Sequence, residues 1–316
     1  MKMKNNQFLI GALLLLVLVV GCSKNVEPQN GEIRVHVTKN YGEEVVFSEK
    51  VPLMGRNQTV LDVIDDHLNI ETGYGGAFII DINDTAKDLK NPRGYDWFFY
   101  VNGGMSNIGA GSYFLKSGDD IWWDYRPWKD AAAVSSVIGQ YPQPFVSSYR
   151  NNKVETLILY GDHEEKDALD LSTMLKDKDI SVITDIYNKM KIEQRTNPTI
   201  VLATWDQLSG DEFWEGIQKN WHRVGWFVEI NNQGLYSLSP SGNKGKIMYE
   251  NFALITAIGT GTGDDFPLWL VTASDSINLS NAVKMIEEQD PLSLSTSVLI
   301  KDDEVVRLPY INGERK

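Results

Sequence analysis

The 316-residue chain has one cysteine, Cys22, and four histidines. A single thiol excludes a disulfide framework within the chain. The histidines, at positions 36, 67, 163 and 222, fall at no zinc-ligand spacing. Basic residues are also short: the formal net charge is −13, so the phosphates of a nucleic acid would be repelled. There is no G-x-S-x-G nucleophile motif and no Lys-bearing phosphate loop. "IGTGTGDD" (258–265) comes nearest to the latter, but it ends on two acids and runs into the apolar "FPLWLVTAS". It reads as a turn between two strands, one that could touch a ligand if it stood at the carboxyl edge of a sheet. The acid pairs Asp119–Asp120 and Asp264–Asp265 read as solvated turns, because neighbours on an extended chain point apart. No enzyme is expected from this inventory.

The lone cysteine has a specific setting. "MKMKNNQ" is basic, and "FLIGALLLLVLVV" (8–20) is an apolar stretch of 13 residues, too short for an ordinary membrane-spanning helix. It meets "VVGC". A small residue before a cysteine at the end of such a run resembles the lipobox of bacterial lipoproteins. The resemblance implies a signal peptide over 1–21, lipidation at Cys22, a tether over 22–31, and a protein anchored to the cell membrane on its extracytoplasmic face.

The chain is rich in tryptophan, with nine. Large aromatic side chains bury much area, which favours packed interfaces or a ligand face. Alternating apolar residues mark two strands, around Ile33–Val37 and Val45–Phe47. Val60, Leu61, Val63, Ile64 and Leu68 mark one face of a helix, capped by Asn57 or Thr59. "AFIIDIND", "DWFFYVNGG" and "GSYFLKSGDDIWWDYRP" read as three more strands. This β-β-α-β-β-β order over 32–126 is the plan of an α+β domain of the β-grasp type. Residues 127–153, with three prolines and no clear period, read as an inter-domain linker or a wrapped arm. From 154 to 316, apolar strands alternate with helices, which predicts an α/β domain with a mostly parallel sheet and helices on both faces.

"NIGAGSYFLKSGDD" (107–120) places Gly109, Gly111 and Gly118 around one short apolar run. Either the backbone bends sharply twice, or a broad ligand approaches it closely.

"TVLDVIDDHL", "GYGGAFIIDI", "YDWFFYVNGG" and "GAGSYFLKSGDDI" resemble, in that order, the C-terminal domain of transcobalamin and intrinsic factor, a soluble ligand-binding β-grasp domain also found in bacterial surface lipoproteins. The resemblance implies cobalamin or another corrinoid as the bound ligand. In the vitamin carriers two loops of this domain lie against it. One matches Tyr74, Gly75, Gly76 and Phe78, with Tyr74 where the carriers have tryptophan. The other matches Met105, Ser106, Asn107, Ile108, Gly109, Ala110, Gly111 and Tyr113. Glycine suits such loops, because backbone groups reach the amide arms of a corrin only where side chains are absent. The carriers close the site with a helical barrel that this chain lacks. The expectation is therefore a corrinoid held between the two domains, with His163 and His222 as candidate cobalt ligands and a membrane importer as the receiving partner. The alternative is an adhesion or scaffold lipoprotein whose β-grasp domain binds protein or glycan.

Overall fold

The computed structural model describes residues 31–55, 57–76, 78–87, 94–129, 134–288, 290–302 and 304–311. The expected signal peptide, Cys22 and all of the tether before Gly31 lie outside these residues. The fold is mixed α/β, with strands outweighing helices.

In the N-terminal half, β1 (Gly31–Lys39) and β2 (Glu44–Leu53) form a hairpin, followed by α1 (Val60–His67). Next come β3 (Ile70–Gly73), β4 (Phe78–Ile82), β5 (Tyr95–Val101), β6 (Gly104–Met105) and β7 (Asp120–Pro127). The sheet order is β2-β1-β7-β5-β6, with β1 and β7 parallel, and β3–β4 is a separate hairpin. Of the two expected caps, Thr59 starts the helix. Its hydroxyl accepts from the Asp62 amide (3.1 Å), and the Asp62 carboxylate accepts from the Thr59 amide (2.8 Å). Val60, Val63 and Ile64 then face Ile33, Val35 and Val37 of β1.

"DIWWDYR" in β7 is buried at every position, although a sheet with one wet face would alternate. Ile121, Trp123 and Tyr125 join the α1 side, whereas Trp122 belongs to a second core shared with the C-terminal half. A charged pair sits on that second side. Asp124 accepts from Thr38 Oγ1 (2.7 Å) and the Tyr41 amide (2.9 Å). Arg126, fully buried, donates to the Tyr100 hydroxyl (2.6 Å) and lies 4.3 Å from the Phe98 ring centroid.

The C-terminal half runs β8 (Thr156–Tyr160), α2 (Glu165–Lys176), β9 (Val182–Ile186), α3 (Lys189–Glu193), β10 (Thr199–Thr204), α4 (Trp205–Leu208), α5 (Glu212–Lys219) and α6 (Trp221–Val224). Then come β11 (Val228–Asn231), β12 (Gly234–Leu238), β13 (Lys244–Tyr249), β14 (Ala253–Ile258), β15 (Leu268–Ala273), α7 (Ser276–Glu288), β16 (Ser297–Lys301) and β17 (Glu304–Leu308). The large sheet has the order β17-β16-β14-β15-β10-β8-β9. This corrects the expectation of a mostly parallel sheet: three neighbouring pairs are parallel and three antiparallel. The reason is local. The short loop 259–267 turns β14 directly into β15, and a parallel crossover needs a longer connection. Helices do not cover both faces evenly either. α2 and α7 pack on one face through Leu171, Leu175, Leu279 and Ile286. The other face, including Leu159, Val201 and Leu270, meets Trp205, Trp214, strands β11–β12 and the N-terminal half.

Residues 134–149 are a wrapped arm and not a free linker. Val134 and Val137 enter the shared core, while Ile138, Tyr141 and Phe145 pack into the α2–α7 side. Gln140 takes the Gly103 amide (2.8 Å) and donates to the Asp120 carbonyl (2.7 Å). Gly139 is needed for its lack of a side chain: a Cβ there would stand 2.3 Å from the Ser295 backbone nitrogen.

Candidate functional site

The first predicted loop is the tip of the β3–β4 hairpin. Tyr74, Gly75 and Gly76 form a single tight turn with φ of 52°, 74° and 90°. Glycine carries two of these left-handed positions at little cost, and no neighbouring atom stands within 4 Å of a Cβ built on either. Tyr74 is 91% exposed and meets Phe78 edge-on at 6.4 Å. Phe78 and Ile80 face outward on β4 while Ile79 faces the core, so the strand presents an apolar outer face.

The second predicted loop divides in two. Its start is structural. Met105 accepts from the Gly263 amide (2.7 Å) and donates to the Ser135 carbonyl (2.9 Å). Ser106 and Asn107 are both tied to the Tyr149 hydroxyl, at 2.9 and 3.1 Å. Its end closes over α1: the Leu61 amide donates to the Ala110 carbonyl (3.1 Å) and the Val60 amide to the Tyr113 carbonyl (3.0 Å). Ala110 and Tyr113 are buried, and the Tyr113 hydroxyl donates to the Tyr149 carbonyl. Burial pushes that phenol well above its ordinary pKa. Tyr113 is thus buried and Met105 half-buried. Ile108, Gly109, Gly111 and Ser112 are exposed. Phe114, 58% exposed, is a residue the sequence reading passed over. Tyr113, Phe114 and Leu115 are one apolar run in the sequence, and only the structure alternates them in, out and in.

Neither candidate cobalt ligand lies at these loops by any contact among the described residues. His163 follows the carboxyl end of β8, whereas Gly263, which meets the Met105 loop, precedes the amino end of β15. Both strands pair in parallel with β10, so the two positions are at opposite edges of the sheet, about 20 Å apart for strands of this length. His222 is exposed on α6 beside Trp221, and Phe227 just beyond that helix packs on Tyr41 in the β1–β2 turn. Tyr41, Tyr100, Trp122 and Phe227 pack the core of the junction between the two halves, and beside Tyr41 a cavity of about 340 Å³ is lined from both sides by Tyr95, Pro127, Ser239 and Tyr310.

The acid pairs are not solvated. Asp119 and Asp120 are each 1% exposed. Asp119 accepts from Asn102 Nδ2 (2.8 Å) and the Lys116 amide (2.8 Å). Asp120 pairs with Arg34 (2.9 Å) and accepts from Gln140 Nε2 (2.8 Å). Burial raises both carboxyls, that of Asp120 to about 6. His36, with Nε2 3.6 Å from Asp120, is lowered to about 4, first by burial and then by Arg34. Asp264 ties down its own loop by accepting from the Thr260 and Phe266 amides (both 2.8 Å). These groups build the frame behind the loops. Among the described residues no three or more His, Cys, Asp or Glu side chains converge on a point that could hold a metal ion.

Residues 57–126 match a family profile described as a domain of unknown function, DUF4430. No curated protein matches the chain. Among solved structures it is similar to a protein from Ruminococcus gnavus ATCC 29149 with a provisional metal-binding description. The identity is 16%, the match covers 31% of this chain and 97% of that one, and the TM-score is 0.25. It is also similar to haptocorrin in complex with Cbi, at 20% identity and a TM-score of 0.25, over 34% of this chain and 28% of haptocorrin.

Proposed function

We propose that this chain is a lipid-anchored extracytoplasmic protein that binds a corrinoid on the outward loops of its N-terminal half and hands it to a membrane importer. One observation carries the reading. The two loops singled out by the resemblance to the transcobalamin domain both present glycine backbone to open space, at Gly75, Gly76 and Gly109, next to exposed Tyr74, Phe78, Ile108 and Phe114. A folded protein usually buries such aromatic residues, and bare backbone beside them can pair with the amide rim of a broad planar ligand. The core of the junction between the halves is packed, and its side cavity is lined by neither loop, so the reading puts the ligand on the open side of the loops. Recognition then rests on backbone groups and apolar contact, with neither His163 nor His222 on the cobalt.

Titrating the protein with cyanocobalamin and with dicyanocobinamide, by calorimetry and visible absorbance, tests the reading. Saturable binding of either, weakened by Tyr74→Ala and Ile108→Ala, is the expected result. No binding of either compound overturns it and favours the adhesion reading.

A further inference from the structure

A second cleft lies in the C-terminal half, remote from those loops in sequence and built from different elements. It is a cavity of about 380 Å³ at the carboxyl ends of β10 and β15, bounded by α4, α5 and the β11–β12 turn. Sheets of this kind place ligands at that edge, because the loops that follow parallel strands diverge there. Trp205, Trp214 and Phe252, each more than nine-tenths buried, make an apolar floor. The rim is polar and exposed: Asp206, Glu215, Asn232 and Glu250 make no side-chain hydrogen bond or ion pair among the described residues. Gln218 spends its carbonyl on the Ile230 amide (2.8 Å) and Asn231 spends its carbonyl on the Gln233 amide (2.8 Å), and neither NH₂ group has a partner among the described residues.

The chemistry of this lining selects its ligand. No Lys, Arg or His contributes, so an anion would meet only carboxylates. The described acids do not converge as a metal site would require. A simple amine would use the acceptors and make no use of the amide donors. A hydroxyl both donates and accepts, so neighbouring hydroxyls on a ring can satisfy carboxylates and amides together, while the C–H face of the same ring covers the aromatic floor. The volume falls within the range of small-molecule sites. We infer that this cleft binds a small neutral saccharide through Asp206, Glu215, Asn232 and Glu250 above Trp205 and Phe252. The inference stands apart from the corrinoid reading.

The full chain would be titrated with glucose, N-acetylglucosamine and maltose, using ligand-observed magnetic resonance and calorimetry, with putrescine as the amine arm. At least one sugar should bind. The double substitution Asp206→Ala with Glu250→Ala should weaken that sugar by ~10-fold or more, the loss of at least one charged hydrogen bond, and Asn232→Ala separately by about 3- to 10-fold, the loss of a neutral one. These side chains are exposed, so the fold should hold, and an unchanged thermal midpoint confirms it. No sugar binding up to ~50 mM, the weak end of specific affinity, overturns the inference. So does sugar binding that survives both rim variants, or putrescine binding in place of every sugar. Cobalamin titration of the same variants reports on the other reading separately.

Discussion

The Gly263 amide donates to the Met105 carbonyl at 2.7 Å, and a Cβ on Gly263 would stand 2.3 Å from Asn107 Nδ2. Through this contact a turn of the C-terminal sheet holds the start of the N-terminal loop. Gly263 also has φ of +74°, where a side chain is strained. Gly263→Val should therefore cost about 1–3 kcal/mol of stability. Adding Asn107→Ala should recover the steric part and leave the backbone part. Urea denaturation of the two single variants and the double variant measures the coupling. Additive effects would show that the contact is not transmitted through Asn107.

The shared core has a consequence for folding. Removing everything after residue 129 would strip Tyr41, Tyr100 and Trp122 of their C-terminal packing partners, among them Phe227 and Val134, and leave Arg126 beside solvent-exposed aromatics. The full chain from residue 31 onward should unfold in one transition, coincident by tryptophan fluorescence and circular dichroism. Either half alone should lack a cooperative transition. Two separate transitions in the full chain, each matching one half, would contradict this.

Gly109 is the cleanest probe of the corrinoid loops. Nothing stands within 4 Å of a Cβ built there, so Gly109→Val should leave the thermal midpoint near that of the wild type. If a corrin lies against that backbone, cobalamin affinity should fall by ~10-fold or more, since inserted methyl groups displace contact worth about 1–3 kcal/mol. Equal affinity in calorimetry would place the ligand elsewhere.

His36 and Asp120 should give opposite responses to acid. The His36 pKa is lowered to about 4 from an ordinary 6.5, so its contribution to stability is present above 6.5 and is lost as pH falls through 4. The Asp120 pKa is raised to about 6 from 3.8, so its contribution is full below 3.8 and is lost as pH rises through 6. In the wild type the two trends offset each other between pH 4 and 6. His36→Gln leaves the Asp120 trend and should gain stability on acidification relative to wild type, while Asp120→Asn should lose it. Each trend is on the order of 2–3 kcal/mol. Urea midpoints at acidic and neutral pH decide the matter, and parallel profiles for the two variants would refute the assignment.

The proposed lipid anchor rests on Cys22, the one cysteine in the sequence. Cys22→Ser should move the protein from the membrane fraction into the medium, or leave it as unprocessed precursor, because stable anchoring requires acyl chains. Normal processing with unchanged membrane attachment would end the lipoprotein reading.

Local sequence determined the features whose physics is local. The capping box at Thr59, the one-sided helix over Val60, Val63 and Ile64, and the hairpin closed by Asn231 to Gly234 follow from neighbours in the chain. The left-handed turn at Gly75 and Gly76 follows from local backbone geometry as well. Tertiary structure decided the rest. Asp119 and Asp120 read as a solvated turn because neighbours on an extended chain point apart, and only the arrival of Arg34 on β1, Asn102 in the turn after β5 and Gln140 in the arm allows them to be buried. The arm at 134–149 carries no period because it runs across two packed surfaces instead of along one. Trp122 and Arg126 are buried because the second half covers the face of β7 opposite Ile121 and Trp123. Periodicity records which side of an element is apolar, but what arrives to cover a face, and which loops it leaves open, is settled by contacts between residues far apart in the chain.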